Sequence, residues 1–503
     1  MQSHPRTIVI VGGGFSGTVL AVNLLRQITD APTLIVLVER AAEVGCGVAF
    51  APHPFPYLLN VPAGRMSATS DDTAQLINFA QRQMPDVHEE SYLPRRLYGE
   101  YLQDELRKAE LAAPAHIRLR RVHGEATCVR PIPHSTSLLV SVGARQLLAD
   151  QVVLACGTPA PADKPYAADI SAHPAYVHDP HRDEGVRASD QCILLIGTGL
   201  TMVDVALAAV ARNPAVRIIA LSRHGLLPTV QRTPVASVLD AKLDLRAYRG
   251  ASLRRLVAAV RSLATAAQER GGDCREVITR VREAAPELWQ SLADTERRRF
   301  LRHVRAYWDV HRHRMPPVIA EQVNELRRSG QLQVRAGSVR QLCAQADGVV
   351  ALWQARGRFD TQELWVDRII ECSGLDHRLE RTADPLLRYL LDAGLAWPDA
   401  AGLGLRTGKH GALVGADGRA STRLFYLGPM LRADHWEATA VSELRQHAER
   451  LALALAQQVE HARELRTSIV TALRDHRRAH HSIREYEISE CRVNLLFTPF
   501  TVL

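Results

Sequence analysis

Two short glycine clusters are the residues of this chain best suited to chemistry. Gly12, Gly13, Gly14, Phe15, Ser16 and Gly17 form a G-x-G-x-x-G run between an apolar segment, 7–11 (TIVIV), and a helical pattern reaching about Arg26. The first glycine of such a run permits a tight turn. The second lets backbone approach a pyrophosphate, and the third lets helix and strand pack closely. Free N–H groups and the dipole at the helix start favour phosphate there. A second apolar segment, 33–38 (TLIVLV), leads to Glu39, 22 residues past Gly17, with Arg40 beside it. A carboxylate so placed can take a ribose hydroxyl. Strand, turn, helix and acid in register predict a dinucleotide-binding βαβ unit rather than a purely structural turn.

The pattern recurs at Gly197-Thr198-Gly199-Leu200-Thr201-Met202, after 192–196 (CILLI) and before VALAAVARN. Met202 replaces the third glycine, so the helix is expected to sit slightly further from its strand. The next strand, 216–221, ends at Ser222-Arg223-His224 with no acid. A carboxylate would repel a 2′-phosphate, whereas Arg and Ser bind one. NADPH is therefore expected over NADH, with Gly197, Gly199, Thr201, Ser222 and Arg223 as contacts. A solvated strand-end arginine is the plainer reading of Arg223.

Two dinucleotide folds need two nucleotides, and the chain is expected to return to the first fold after the second. FAD is therefore expected at the first cluster. Val153–Thr158 and Ile369–Gly374 look alike, each a buried strand ending at a small-residue turn, the first containing Gly157. In two-dinucleotide flavoproteins such segments join the cofactor domains. Gly428-Pro429, after LFYL, would bring a backbone loop against the flavin ring. Trp436-Glu437 would open a helix, 436–457, whose N-terminus faces the flavin C2=O. Glu437 as a simple helix-start acid is the alternative.

The elements that must position these residues imply an α/β fold. Two Rossmann-like dinucleotide-binding domains are expected, the NADP domain (185–335) inserted into a discontinuous FAD domain (1–160 plus 340–460). An Arg-rich helical excursion would fill 251–330, and 461–503 would form a C-terminal extension. A chain of 503 residues exceeds one core, which agrees with several domains. Helices are predicted at 72–83 and 95–110, strand alternation at 116–155, a linker at 159–190, and later strands at 333–354, 366–371 and 424–428.

Hydrophobic residues make up 46% of the chain and charged residues 23%, an ordinary globular balance. The net charge of +8 favours anionic partners. Nucleic acid is set aside as a third reading, because aromatic residues are only 5% and no RNA-binding motif occurs. Eight cysteines without a CxxC pattern indicate neither zinc nor a disulfide framework, and no metal is expected. His311 and His313, two apart, would face different sides of a helix and make poor metal ligands. Arg305, Arg312 and Arg314 in the same stretch would suit an acidic substrate or a phosphate. Arg95-Arg96 would hold a phosphate or substrate, or be surface charge. No run of 18 apolar residues occurs and the N-terminus leads straight into a strand, so no membrane partner and a cytoplasmic location are expected.

Longer segments carry a resemblance: CGVAF (46–50), YLLNVPAGRMSA (57–68), PRRLYGEYL (94–102), GTGLTMVD, SRHGLLP and GPMLRADHWEATAVSELR (428–445). Over roughly 5–455 the chain resembles the bacterial single-chain FAD/NAD(P)-binding oxidoreductases. That family is similar to flavin-containing and N-hydroxylating monooxygenases and includes L-aspartate N-monooxygenases. The resemblance implies FAD, NADPH, O2 and a small-molecule substrate, with oxygen transfer through a flavin C4a-hydroperoxide. In related monooxygenases an Asn from the loop after the first βαβ unit lies near the flavin, and Asn60 stands in that loop. Its amide would serve the hydroperoxide or orient NADP; satisfying loop backbone is the plainer role. Arg65 and Met66 share the loop, Met66 either touching the cofactor or packing. Disulfide reductases of this layout need a CxxxxC pair, where this chain offers Cys46 alone. The second reading is a reductase passing electrons to a quinone or protein.

Overall fold

The computed structural model describes residues 5–464 and 468, apart from 161–163, 182–184, 233–237, 241–242 and 375–377. Most of the expected extension 461–503 lies outside these residues. Near-continuous β-branched and Leu-rich runs, buried on both faces, build two parallel cores, as expected where helices cover both sides of a sheet. The first sheet has six strands in the order Ala412–Val414, Ala420–Tyr426, Gln151–Leu154, Arg6–Val11, Thr33–Glu39, Ile117–His123. All neighbours run parallel except the outermost pair, Ala412–Val414 with Ala420–Tyr426. The helices Phe15–Gln27 and Arg95–Ala112 pack on it, with Tyr98 and Tyr101 fully buried. The alternating stretch 126–149 forms a separate three-stranded antiparallel sheet.

The second sheet has seven strands: Thr361–Val366, Gly348–Ala355, Leu332–Gln345, Arg217–Ser222, Cys192–Ile196, Arg368–Glu371 and Tyr176–Val177. Its membership corrects the expected boundary at 340. Leu332–Gln345 enters parallel to Arg217–Ser222, in register Ile218 with Leu332, and then folds antiparallel onto Gly348–Ala355. Arg368–Glu371 pairs parallel with Cys192–Ile196. Residues 340–371 therefore belong to the second unit, where Leu342, Val349, Val366 and Ile369 fill its core. A buried ion pair, Arg368 Nε to Asp190 Oδ2 at 2.7 Å, fixes this seam. The chain rejoins the first sheet only at Ala412–Val414.

The excursion comprises Leu253–Glu269, Cys274–Ser291, Asp294–His303, Arg305–Arg312 and Pro317–Arg328. Ser252 and Asp273 cap the first two helices by accepting backbone N–H groups. Its apolar side forms a core with Leu403, Ala433 and Trp436, so part of it packs back on the first unit. Trp289 Nε1 donates to Ala433 O at 2.9 Å across that contact. The expected helix start at Trp436 is also corrected: 436–440 are turns and the helix spans 441–464. The reason is a long-range contact, since the Glu437 carboxylate is taken by Arg312 and Trp308 and cannot cap. No helix among the described residues is long and apolar enough to cross a membrane.

Candidate active site

The two glycine turns are near copies of each other. Gly12 has φ +107° and Gly197 φ +115°, a region that favours glycine. A Cβ on Gly12 would lie 2.3 Å from Ala155 O; one on Gly197 would lie 2.3 Å from Cys372 O. The backbone bonds repeat as well. Gly12 N–H donates to Val38 O and Gly197 N–H to Leu221 O, both at 2.8 Å. Ala155 N–H donates to Val11 O and Cys372 N–H to Ile196 O, both at 2.7 Å. Each turn is thus clamped between two parallel strands at their carboxyl ends, the position where open α/β sheets bind ligands.

The helices that follow, Phe15–Gln27 and Leu200–Arg212, have no side-chain cap at Gly14 or Gly199. Their first-turn N–H groups are left for another acceptor, which suits a pyrophosphate. Gly17 sits against Gly12 O, where a Cβ would lie at 1.8 Å. In the second unit the larger Met202 is fully buried at the equivalent step. Nothing lies within 4 Å of a Cβ built on Gly199, so the space above the second turn is open. Phe15 and Ser16 belong to the first turn of the first helix, Ser16 buried and Phe15 packed 6.3 Å from the Tyr98 ring centroid.

The strand registers Val11 with Val38 and Ile196 with Leu221 make Glu39 and Ser222 equivalent positions. Glu39 is held by two backbone donors, Gly13 N–H at 2.6 Å and Ala41 N–H at 2.8 Å. Ser222 Oγ lies 2.8 Å from Thr198 Oγ1 and accepts Gly225 N–H at 3.1 Å. Arg223 next to it is exposed. An acid closes one unit; a hydroxyl and a cation close the other.

Between the units lies a cavity of about 310 Å³, lined among others by Tyr57, Arg95, Arg96, His181, Thr201 and Asp204. Arg95 donates to Leu58 O at 3.0 Å and to Asp204 Oδ2 at 2.7 Å, with its guanidinium 5.4 Å from the Tyr57 ring centroid. Burial lifts the Asp204 carboxyl against the pull of Arg95. Arg95 therefore bridges the two units, whereas Arg96 is exposed and pairs with Glu100. Thr201 reaches the cavity from the second helix.

Gly157 and the Gly428-Pro429 loop are brought together. The Tyr426 hydroxyl donates to Gly157 O at 2.9 Å and accepts Met430 N–H at 3.1 Å. Both segments follow strands adjacent in the sheet, so they gather with Gly12 at its carboxyl edge. Asn60 is half-buried and its carbonyl accepts Gln231 Nε2 at 3.3 Å, which places it where the two units meet. Three candidates stand elsewhere. Met66 is buried in the first core, its carbonyl accepting the Tyr98 hydroxyl at 2.8 Å. Arg40 is exposed and 3.5 Å from Glu125. Trp436 is buried in the helical layer, 4.7 Å from the Trp289 ring centroid. Sequence reasoning missed the Arg95–Asp204 bridge and the roles of Arg432 and Glu437. Only the clustering of Arg with Trp in 428–445 hinted at the latter.

A family model described as FAD-NAD(P)-binding matches residues 9–159. No curated protein matches the chain. Among solved structures, ornithine N-hydroxylase of Kutzneria sp. 744, solved with reduced FAD, NADP+ and L-ornithine, superposes with TM-score 0.58 at 15% identity, covering 92% of this chain and 100% of that one. L-lysine 6-monooxygenase of Pseudomonas syringae gives TM-score 0.60 at 16% identity, covering 91% and 100%. Bacillithiol disulfide reductase of Bacillus cereus gives 0.51 at 13% identity, covering 90% and 100%. These likenesses show the fold. Residues 9–159 thus match the FAD-NAD(P)-binding family model, within a chain whose fold is that of ornithine N-hydroxylase and L-lysine 6-monooxygenase.

Proposed function

We propose that the chain is an FAD-dependent NADPH oxidoreductase, a monooxygenase that oxygenates a small polar, nitrogen-bearing substrate. The observation that carries this reading is the duplicated cradle whose equivalent closing residues differ, Glu39 in one and Ser222-Arg223 in the other. Two different nucleotides are thereby recognised. Gly12–Gly17 would hold the FAD pyrophosphate, with Glu39 accepting a ribose hydroxyl. Gly197, Gly199 and Thr201 would hold the NADPH pyrophosphate, with Ser222 and Arg223 on its 2′-phosphate. Held there, FAD would supply hydride acceptance from NADPH and the O2 activation needed for oxygen transfer to nitrogen.

The chain's own part is positional. The clamped turns Gly12, Gly157 and Gly428 would form a rigid backbone edge along the flavin. Asn60, on the seam between units, would serve the oxygenated flavin or orient NADP with its amide. The Arg95–Asp204 bridge holds the units in register around the cavity. The fold is shared with disulfide reductases, but the seven cysteines among the described residues are free, and Cys46 is buried. Burial, then Glu43, lifts its thiol pKa, the opposite of what an exchanging thiol needs. That favours oxygenation over thiol chemistry.

The test is NADPH oxidation by the purified protein with a panel of amines and amino acids. One substrate should raise oxygen uptake, with hydroxylated product formed in step with NADPH consumed. NADPH-driven reduction of a quinone without substrate-stimulated oxygen uptake would support the reductase reading instead.

A further inference from the structure

The first sheet carries a second cavity at its amino-terminal edge, the end opposite the glycine turns. It encloses about 220 Å³ and is lined among others by Arg6, Asp150, Gln151, Arg423 and the exposed Thr136. The strand Arg6–Val11, at about 3.3 Å per residue, sets Arg6 about 20 Å from Gly12. The pairing of Ile8 with Gln151 and of Leu424 with Val152 puts Arg6, Gln151 and Arg423 on one face of the sheet. Gln458 and Val459 of the last helix close over that face.

Several polar groups of the cavity are tied to one another. Arg6 Nη1 donates to Asp150 Oδ1 and Thr7 N–H to Asp150 Oδ2, both at 2.9 Å. Gln151 Nε2 donates to Gln458 Oε1. Two atoms are left over. Arg423 Nη1 and Gln151 Oε1 are buried and have no hydrogen-bond partner among the described residues. Gln151 is only 7% exposed, so its oxygen has the cavity and not bulk water before it. Buried polar atoms are normally satisfied, so the cavity suits a ligand that accepts from Arg423 and donates to Gln151 at once. Its charge adds a condition. Arg6 and Arg423 face Asp150 as the one carboxylate in the lining, which leaves one positive charge over.

We propose that this cavity binds a small oxyanion that still carries a proton, dihydrogen phosphate or hydrogen carbonate. Its charged oxygens would accept from Arg423, and its hydroxyl would donate to Gln151 Oε1. Its single negative charge cancels the excess. Other occupants satisfy fewer of these conditions. Chloride, sulfate and an ionised carboxylate have no proton for Gln151. A zwitterionic amino acid can both donate and accept, but leaves the positive charge standing, and so does water. The site lies at the far edge of the sheet from both glycine cradles, and the proposal does not rest on the flavin reading.

Calorimetric titration of the purified full-length protein with phosphate, hydrogen carbonate, sulfate and chloride tests this, at neutral pH, matched ionic strength and saturating NADP+. The NADP+ keeps phosphate from the cradle closed by Ser222-Arg223. Phosphate or hydrogen carbonate should bind at a single site, and whichever binds identifies the anion. Sulfate should bind on the order of tenfold more weakly or not at all, for want of the hydrogen bond to Gln151. Arg423→Gln should weaken binding on the order of tenfold or more, as loss of a charged hydrogen bond requires. Gln151→Leu should erase the preference over sulfate. Should either variant fail to fold, judged by circular dichroism, the exposed Thr136→Glu sets a carboxylate at the cavity and should weaken binding likewise. Three results would each overturn the proposal: no anion bound, sulfate bound as tightly as the protonated anions, or affinity unchanged in the folded variants.

Discussion

Gly199 separates function from folding better than any other residue of the second cradle. Its backbone is ordinary extended chain, φ −83° and ψ −168°, and a Cβ there meets nothing within 4 Å. Gly199→Ala should therefore change stability by less than about 0.5 kcal/mol. The new methyl would stand over the uncapped start of Leu200–Arg212, where a pyrophosphate must approach. Losing one charge-assisted hydrogen bond costs about 1.5–3 kcal/mol, or about 10- to 100-fold in affinity. Gly197→Ala is the contrast. With φ +115° and a Cβ 2.3 Å from Cys372 O, it forces the strand Arg368–Glu371 to retreat. It should destabilise by about 2–4 kcal/mol from conformational strain and overpacking together. Denaturant midpoints and NADPH KM, measured on both variants, read the two effects. An unchanged NADPH KM in Gly199→Ala, or a stability loss as large as that of Gly197→Ala, would refute the assignment of this turn.

Other consequences follow from single contacts. Arg223→Asp should reverse the nucleotide preference, lowering kcat/KM for NADPH relative to NADH on the order of tenfold or more, as read by steady-state assays with each. Glu437→Gln strips Arg312 of its buried counter-ion and should cost about 3–5 kcal/mol, visible as a lower denaturant midpoint. Glu39→Gln should leave the fold intact but weaken flavin retention, checked by the flavin-to-protein absorbance ratio after gel filtration. His313 and His447, with pKa values pulled by burial to about 4 and about 3 from the ordinary 6.5, are neutral in the folded chain. The unfolded chain binds these protons first, so stability is full above about pH 6.5 and falls as pH drops towards 4. His447→Gln should flatten that slope in melts recorded across the range.

The cradles are legible in the sequence because their information is local. Glycines, flanking apolar runs and the closing residues Glu39 and Ser222-Arg223 all lie within one βαβ unit each. The placement of 340–371 is not legible. Alternation in 348–355 announces a strand, but not which sheet it joins, and Val366, Ile369 and Ile370 would suit either core. The start of the last helix is hidden because the pattern from Trp436 onward is helical in isolation. What breaks it is long-range: Glu437 is drawn to Trp308 and Arg312, more than a hundred residues earlier. Sequence alone leaves Arg95 between binding and surface charge for the same reason, since its partner Asp204 lies in the other unit. Arg432 reads as one of many arginines, and only its burial against Trp436 sets it apart.

The most direct measurement is anaerobic reduction of the flavin in the purified protein by NADPH and by NADH. Two cradles closed by Glu39 and by Ser222-Arg223 predict a yellow protein bleached by NADPH on the order of tenfold faster than by NADH. A protein that takes up no flavin, or whose flavin neither nucleotide reduces, would contradict the account.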